Sequence, residues 1–85
     1  MPEVLRIAIP GGAVIDRPLP HREVTIGRDR ANAIVVEHPS VARWHVRLVP
    51  EFSGWAVVDL ESTTGTFVSG HRLEPGVATP LDVGV

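Results

Sequence analysis

The amino-acid sequence predicts an all-β domain, a two-sheet antiparallel β-sandwich. Short runs rich in β-branched and aromatic residues recur along the chain, and glycine, proline or small polar residues separate them. Eight glycines and eight prolines in 85 residues provide many of the breaks between runs. No window keeps apolar residues at i, i+3, i+4 and i+7 for the length of a helix, so we expect no helix. Short strands at this regular spacing are typical of a sandwich.

Eight runs have the composition of strands. In chain order they cover residues 4–9, 13–15, 23–26, 33–36, 44–49, 55–60, 66–68 and, as the weakest, 71–73. Between the first two runs, Gly11 and Gly12 predict a hairpin turn, because glycine adopts positive φ without a steric penalty. Residues 80–85 have the composition of the approach to one further strand, and the sequence ends where that strand would begin.

Successive side chains of a strand point to opposite faces of its sheet, so alternation predicts which residues are buried. In the run at 55–60, Trp55 and Val57 share a face with Asp59, which brings a carboxylate into the core. A buried carboxylate needs hydrogen-bond partners. Residues 61–66 are rich in hydroxyl groups and contain Gly65, so they predict a tight turn that donates to Asp59.

Composition limits the classes of function. The net charge of −2 argues against a general nucleic-acid or anionic-membrane binder. All eight basic residues are arginine, whose planar charged fork suits phosphate or carboxylate, although codon bias in a GC-rich genome explains the same count. The sequence has no cysteine, no amino-terminal signal pattern and no apolar run near the roughly 20 residues that cross a bilayer. We therefore expect a cytoplasmic domain with no membrane partner.

Four motifs carry the functional prediction. They are Thr-Ile-Gly-Arg at 25–28, Pro-Ser-Val-Ala-Arg-Trp-His at 39–45, Asp-Leu-Glu-Ser-Thr-Thr-Gly-Thr at 59–66 and Phe-Val-Ser-Gly-His-Arg-Leu at 67–73. In this order and spacing they resemble the forkhead-associated (FHA) domain, a small β-sandwich that docks phosphothreonine peptides with the loops at one end. The resemblance covers residues 25–73 and implies a non-catalytic protein-interaction module of the kind used in signalling.

The resemblance assigns roles to five positions. It implies that Arg28 and the residue at 42 bind phosphate, that Thr63 adds a hydroxyl, that the residue at 64 holds the peptide backbone, and that His45 braces the loops. Two of these positions depart from the family pattern, because Ala42 replaces a serine and Thr64 replaces an asparagine. One lost hydrogen bond to a charged group costs about 1.5–3 kcal/mol, or roughly ten- to a hundredfold in affinity.

The predicted phosphopeptide-binding residues are therefore led by Arg28, which carries most of the affinity. Arg43 and Ser40 lie in the same loop and could compensate for Ala42 by approaching the same anion. Thr63 and Thr64 complete the binding set. The residues expected to support this site are Gly27, His45, Asp59, Gly65 and Thr66.

Three alternative interpretations concern the tryptophans and the polar residues. Trp44 and Trp55 are both predicted as core anchors, with Trp44 sharing a face with Val46 and Leu48, although a groove position for Trp44 stays open. A Ser-His-Asp triad is not supported, because no nucleophile motif accompanies these residue types. The histidine spacings match no zinc pattern, so we expect no enzyme activity, no metal and no cofactor.

Two function hypotheses follow, with a third held remote. The first is phosphothreonine recognition, in a partner or in the parent chain. The second is a divergent FHA domain that binds an unphosphorylated surface or dimerises. The remote one is a small nucleic-acid-binding barrel, disfavoured by the acidic charge. FHA domains continue into one or two strands that close the sandwich, so we expect residues 1–85 to be one carboxy-terminally incomplete domain of a larger protein. Its open sheet edge would allow homodimerisation.

Overall fold

The structure, a computed structural model, describes residues 3–9, 11–52 and 54–81, and every regular element in those ranges is a β-strand. The nine strands are β1 (Glu3–Ala8), β2 (Val14–Leu19), β3 (Val24–Gly27), β4 (Ile34–Val35), β5 (Val46–Glu51), β6 (Gly54–Asp59), β7 (Phe67–Val68), β8 (His71–Arg72) and β9 (Thr79–Leu81). The prediction of an all-β fold is confirmed.

The strands form a central sheet and two hairpins. The central sheet has the order β4-β3-β5-β6-β9, and β1–β2 and β7–β8 form the hairpins. All neighbours are antiparallel except β3 and β4. That short parallel pair arises because residues 28–33 fold back on Asp29, whose carbonyl accepts the Asn32 N–H (3.1 Å) and whose Oδ1 accepts the Ala31 N–H (2.8 Å).

The apolar core lies between the central sheet and the first hairpin. Its buried members are Ile9, Leu19, Val24, Ile26, Ile34, Val36, Val46, Leu48, Trp55, Val57 and Leu73. Strand β6 is buried along both faces, because Ala56 and Val58 are 3 % and 5 % exposed. The central sheet is therefore a rigid base for the loops at its ends.

Alternation placed most core residues correctly, with one exception. Val46, Leu48 and Trp55 are buried, as predicted. The core position predicted for Trp44 is wrong, because its side chain is 44 % exposed. Strand β5 begins only at Val46, so the period of two does not extend back to Trp44.

Most strand boundaries differ from the prediction by one or two residues, and two differences are larger. Strand β2 continues to Leu19, four residues beyond the predicted end, because it pairs along its whole length with β1. Strand β9 is already formed at Thr79–Leu81 and pairs with β6, whereas the sequence indicated only the approach to a strand there. The rest of the predicted segment, residues 82–85, lies outside the described residues. Within the described ranges, no helix has the length and apolarity needed to cross a membrane.

Candidate functional site

Three neighbouring strands of the central sheet bring their loops to one end. The registers pair Ile26 with Val46 and Val46 with Asp59, so β3 ends, β5 begins and β6 ends side by side. The His45 N–H donates to the Ile26 carbonyl (2.9 Å), and the His45 carbonyl accepts the Leu60 N–H (2.9 Å). The backbone of His45 therefore ties all three strands together at this loop end.

The loop of residues 37–45, here the recognition loop, passes directly over Gly27. A Cβ on Gly27 would lie 2.1 Å from the Arg43 carbonyl oxygen and 2.9 Å from Asn32 Nδ2. The buried Asn32 amide also donates to that carbonyl at 2.8 Å. Only glycine allows this approach of backbone to backbone, which gives a physical reason for the Gly-Arg pair of the first motif.

Arg28 follows Gly27 and is fixed to the recognition loop at two points. Its N–H donates to the Ala42 carbonyl (2.9 Å), and its side-chain Nε donates to the Val41 carbonyl (3.0 Å). The residue is exposed, and no carboxylate of a described residue lies within 4.0 Å of its guanidinium. Glu23, one conceivable partner, is instead 3.5 Å from Arg47. The geometry thus presents the two terminal nitrogens of Arg28 without an internal counter-ion among the described residues.

The His45 ring connects the recognition loop to the turn at residues 60–66, here the hydroxyl turn. Nδ1 accepts the Ala42 N–H (3.0 Å), so this nitrogen carries no proton. Nε2–H therefore donates to the Gly65 carbonyl (2.9 Å). The ring is half-buried, and both its nitrogens are engaged in the framework of the site. This is the bracing position that the family resemblance implies.

Asp59 organises the hydroxyl turn from the end of β6. Its carboxylate is 1 % exposed and accepts hydrogen bonds from the Ser62 N–H (3.1 Å), the Ser62 hydroxyl and the Thr66 hydroxyl (2.6 Å). Burial alone would raise the pKa of Asp59, but these hydrogen bonds outweigh it and hold the pKa below its usual value. Gly65 takes a φ of 85° within the turn. The turn is a preorganised element held by one buried charge.

Ser40 and Thr64 meet where the two loops touch. The Thr64 hydroxyl donates to the Ser40 carbonyl at 2.6 Å. The Ser40 N–H donates to His38 Nδ1 (3.1 Å), so that nitrogen is an acceptor and the Ser40 hydroxyl, 2.7 Å away, donates to it as well. Both hydroxyl protons are therefore already used inside the loop end. Ser40 must exchange its bond to His38 before it can donate to an anion.

Thr63 and Arg43, the remaining predicted binding residues, are exposed at the loop end. No described contact joins their side chains to Arg28. The Thr63 side chain is exposed, and its hydroxyl bonds to no described residue. The Arg43 side chain is exposed too, while its carbonyl accepts from Asn32. Beside Arg28 lies a shallow depression of about 330 Å³, whose other lining residues are Glu37, His38 and Pro39. Described contacts thus connect Arg28, the recognition loop and Thr64 into one network.

Two residues of the loop end were not anticipated from the sequence. Asn32 supports the Arg43 carbonyl, but its partner is eleven residues away in sequence, and no local pattern links them. Arg72 lies opposite Phe67 in the β7–β8 hairpin, with its guanidinium carbon 6.0 Å from the ring centroid. The Ser69-Gly70 turn could have revealed this second pair, because a two-residue hairpin turn fixes which residues face each other.

Comparison with known proteins agrees with this architecture. The family model of the FHA domain matches residues 24–85. The chain belongs to the FHA domain family. A protein phosphatase 1 regulatory inhibitor subunit PPP1R8 homolog from Arabidopsis thaliana is 38 % identical over 76 residues, covering 86 % of this chain and 21 % of the relative. The FHA domain-containing protein FhaB of Mycolicibacterium smegmatis is 33 % identical over 67 residues, covering 79 % and 43 %. This chain thus spans about a fifth of the first relative and less than half of the second.

Solved FHA structures have the same fold. Mycobacterium tuberculosis EmbR, solved in complex with a low affinity phosphopeptide, aligns with a TM-score of 0.69 at 27 % identity, over 91 % of this chain and 19 % of EmbR. The FHA-1 domain of M. tuberculosis Rv1747 aligns with a TM-score of 0.61 at 28 % identity, over 93 % of this chain and 78 % of that one. The FHA domain of Chlamydia trachomatis CT664 has a TM-score of 0.68 at 20 % identity, over 95 % and 80 %. FHA domains, as a class, are protein-interaction modules.

Proposed function

We propose that this FHA domain binds a phosphothreonine-containing segment, in a partner protein or in its own parent chain, through the loop end. The observation that carries the proposal is Arg28, an exposed guanidinium fixed by two hydrogen bonds and without a described counter-ion. A phosphothreonine has about −1.5 to −2 charges and three strong acceptor oxygens, so a preorganised arginine fork is a suitable partner. EmbR, a structural neighbour, supports this by having been solved with a phosphopeptide.

Thr63 and Ser40 have secondary roles in the proposal. The exposed Thr63 hydroxyl supplies a second donor from the hydroxyl turn. Ser40 and the Arg43 side chain compensate for Ala42, with Ser40 turning its hydroxyl from His38 toward the phosphate. Thr64 contributes to binding by holding the two loops together and by offering its oxygen to the peptide backbone.

A cytoplasmic location belongs to the same proposal, because protein kinases must reach the partner.

Calorimetric titration tests the proposal with one peptide in three forms: phosphothreonine, phosphoserine and unmodified threonine. We expect the phosphothreonine form to bind at least tenfold tighter than the unmodified form. Arg28→Ala should remove that preference, because it deletes the charge-assisted bonds to the phosphate. Arg22→Ala is the matched control, since Arg22 is exposed and precedes β3 at the other end of that strand. Ser40→Ala should weaken binding by a smaller factor.

A second candidate function is supported by a cleft that borders the loop end. An apolar cleft of about 410 Å³ is lined by residues of β1, the central sheet and the loop end, among them Leu5, Ile7, Leu48 and Leu81. Such a cleft suits an unphosphorylated strand or a second copy of the domain. Equal affinity for the phosphorylated and unmodified peptides would favour this candidate over phosphate recognition.

A further inference from the structure

The β7–β8 hairpin holds Arg72 in a fixed position. Its two turn residues, Ser69 and Gly70, have φ values of 50° and 80°, and this type of turn pairs Phe67 with Arg72 across the strands. The guanidinium carbon lies 6.0 Å from the Phe67 ring centroid, within the range of a cation–π contact. Phe67 is 56 % exposed and Arg72 is exposed as well. The hairpin therefore displays a cation on an aromatic platform at the surface.

This cation covers part of the hydroxyl turn. A Cβ on Gly65 would lie 2.7 Å from Arg72 Nε and 3.1 Å from its Nη2. The Gly65 carbonyl is held by His45, and the neighbouring Thr64 donates to the Ser40 carbonyl. A short, rigid series of contacts thus leads from Arg72 across the turn to the recognition loop.

Arg28 reaches the same loop from the strand β3 side. Its Nε donates to the carbonyl of Val41, the residue next to Ser40. The described contacts therefore connect both arginines to the recognition loop, Arg28 directly and Arg72 through the hydroxyl turn. An extended peptide rises about 3.3 Å per residue, so side chains a few residues apart could reach both groups.

Arg72 lacks an anionic partner among the described residues. The described ion pairs join Arg6 to Asp16 and Arg47 to Glu23. No described carboxylate, including those of the neighbouring hydroxyl turn and of Glu74, comes within 4.0 Å of the Arg72 guanidinium. An arginine held over a ring, whose side-chain N–H groups donate to no described residue, suits a carboxylate or a phosphate group.

We propose that Arg72, supported by Phe67, is a second anion site that selects an acidic side chain of the same bound peptide, a few residues from the phosphothreonine. This inference rests on the proposed function of the loop end and adds a rule of sequence preference to it. A carboxylate and a second phosphate share the chemistry that Arg72 recognises. The competing interpretation is that Arg72 only packs over Phe67 and Gly65.

The test uses a phosphothreonine peptide with alanine at the flanking positions. A single glutamate is moved through the four positions on each side, and a glutamine at each position is the uncharged match. A phosphoserine at the best position distinguishes a phosphate preference from a carboxylate preference. For the wild-type domain, we expect glutamate to bind about three- to tenfold tighter than glutamine at one or two positions, with the ratio falling at high salt.

Variants of Arg72 then identify the group responsible. Arg72→Gln should bring the glutamate-to-glutamine affinity ratio to about one, and Arg72→Glu should reverse the preference so that a lysine at the same position binds better. Arg22→Gln is the control and should keep the wild-type ratio. Each variant is checked for an unchanged thermal midpoint, which is expected because the Arg72 side chain is exposed.

Three results would overturn the inference. A wild-type ratio near one at every position shows that no acidic side chain is selected. A ratio that persists in Arg72→Gln assigns the preference to another residue, while the proposed function stands in both cases. If the wild-type domain binds none of the phosphothreonine peptides, the proposed function fails and the second anion site fails with it.

Discussion

Ala42 lies beside the two contacts that fix Arg28, because its carbonyl accepts the Arg28 N–H and the preceding carbonyl accepts Arg28 Nε. A methyl group at this position offers no hydrogen bond to an anion held by Arg28. In the proposed phosphate complex, the residue at 42 therefore determines whether one phosphate oxygen lacks a donor.

Ala42→Ser should restore a donor at this place. We expect phosphothreonine affinity to rise roughly tenfold, because one hydrogen bond to a charged group contributes about 1.5 kcal/mol or more. Calorimetric titration with the phosphorylated peptide measures the change, and Ala31→Ser, in the neighbouring exposed loop, is the control. A gain of the same size with the unmodified peptide would show that the serine does not act on phosphate.

The stabilising contribution of Asp59 to the hydroxyl turn depends on pH. Its pKa lies below the usual 3.8 in the folded state, so its stabilising contribution is complete above that value and is lost as pH falls through the folded pKa. Asp59→Asn should lower the free energy of unfolding by about 2–3 kcal/mol at pH 7. The free energy of unfolding of this variant should also fall less steeply at acidic pH than that of the wild type.

Urea denaturation at pH 7, 5, 4 and 3 measures this effect for Asp59→Asn. Glu61→Gln is the control, because Glu61 is an exposed carboxylate of the same turn with no described hydrogen bond from its side chain. We expect Glu61→Gln to retain the wild-type pH dependence. An Asp59→Asn curve parallel to wild type would mean that another group is responsible for the fall at acidic pH.

Sequence patterns identified those residues whose type is unusual at its own position in a strand. Gly27 stands out as a strand-ending glycine, and Asp59 stands out as a carboxylate on a core face, so each carries its own signal. Asn32 carries none, because the Arg43 carbonyl that it supports is brought close only by folding. The hairpin turn indicates that Arg72 lies opposite Phe67, but its approach to Gly65 is seen only in the structure. Trp44 misled the prediction, since alternation gives no information about the residue at which a strand begins.

The sequence predicted the existence of the strands better than the residues at which they begin and end. All eight predicted runs overlap a strand, because each has apolar β-branched or aromatic residues between strong breakers. Strand β2 was cut short, since its second half, Asp-Arg-Pro-Leu, looks unfavourable alone and is stabilised by pairing with β1. Strand β9 was missed for the same reason: Pro80 opposes Ala56 on the edge of the sheet, where a missing N–H is tolerated.

The first hairpin depends on side chains for its attachment. Among the described strands, β1 and β2 pair only with each other. The hairpin is held to the central sheet by apolar packing and by Trp55, whose indole N–H donates to a Glu3 carboxylate oxygen at 2.9 Å. This hydrogen bond joins residues that are 52 apart in sequence.

Trp55→Phe should therefore loosen the hairpin more than the central sheet. We expect amide hydrogen exchange in β1 and β2 to accelerate about fivefold, because a hydrogen bond of about 1 kcal/mol is lost from the hairpin's attachment. Exchange in β5 should change less. Trp44→Phe is the matched control, since the exposed Trp44 indole donates to no described residue. Uniform acceleration over the whole domain would point to global destabilisation instead.

Among the described strands, β1 and β9 each have one edge that pairs with no other strand. In the described part of the chain, β1 pairs on one side with β2 and β9 pairs on one side with β6, so each presents an edge. Both strands contribute to the lining of the apolar cleft of about 410 Å³. Unpaired edges beside apolar surface favour the addition of another strand.

We expect the 85-residue chain to self-associate through this cleft. Sedimentation velocity from about 10 to 200 µM should show the mean sedimentation coefficient rising with concentration. Leu5→Lys should suppress the rise, because Leu5 lines the cleft and a charge there would lose hydration on burial. Val14→Lys is the control, since Val14 lies on β2 and is 61 % exposed. A chain that stays monomeric over this range and unfolds cooperatively would show that the cleft needs no occupant.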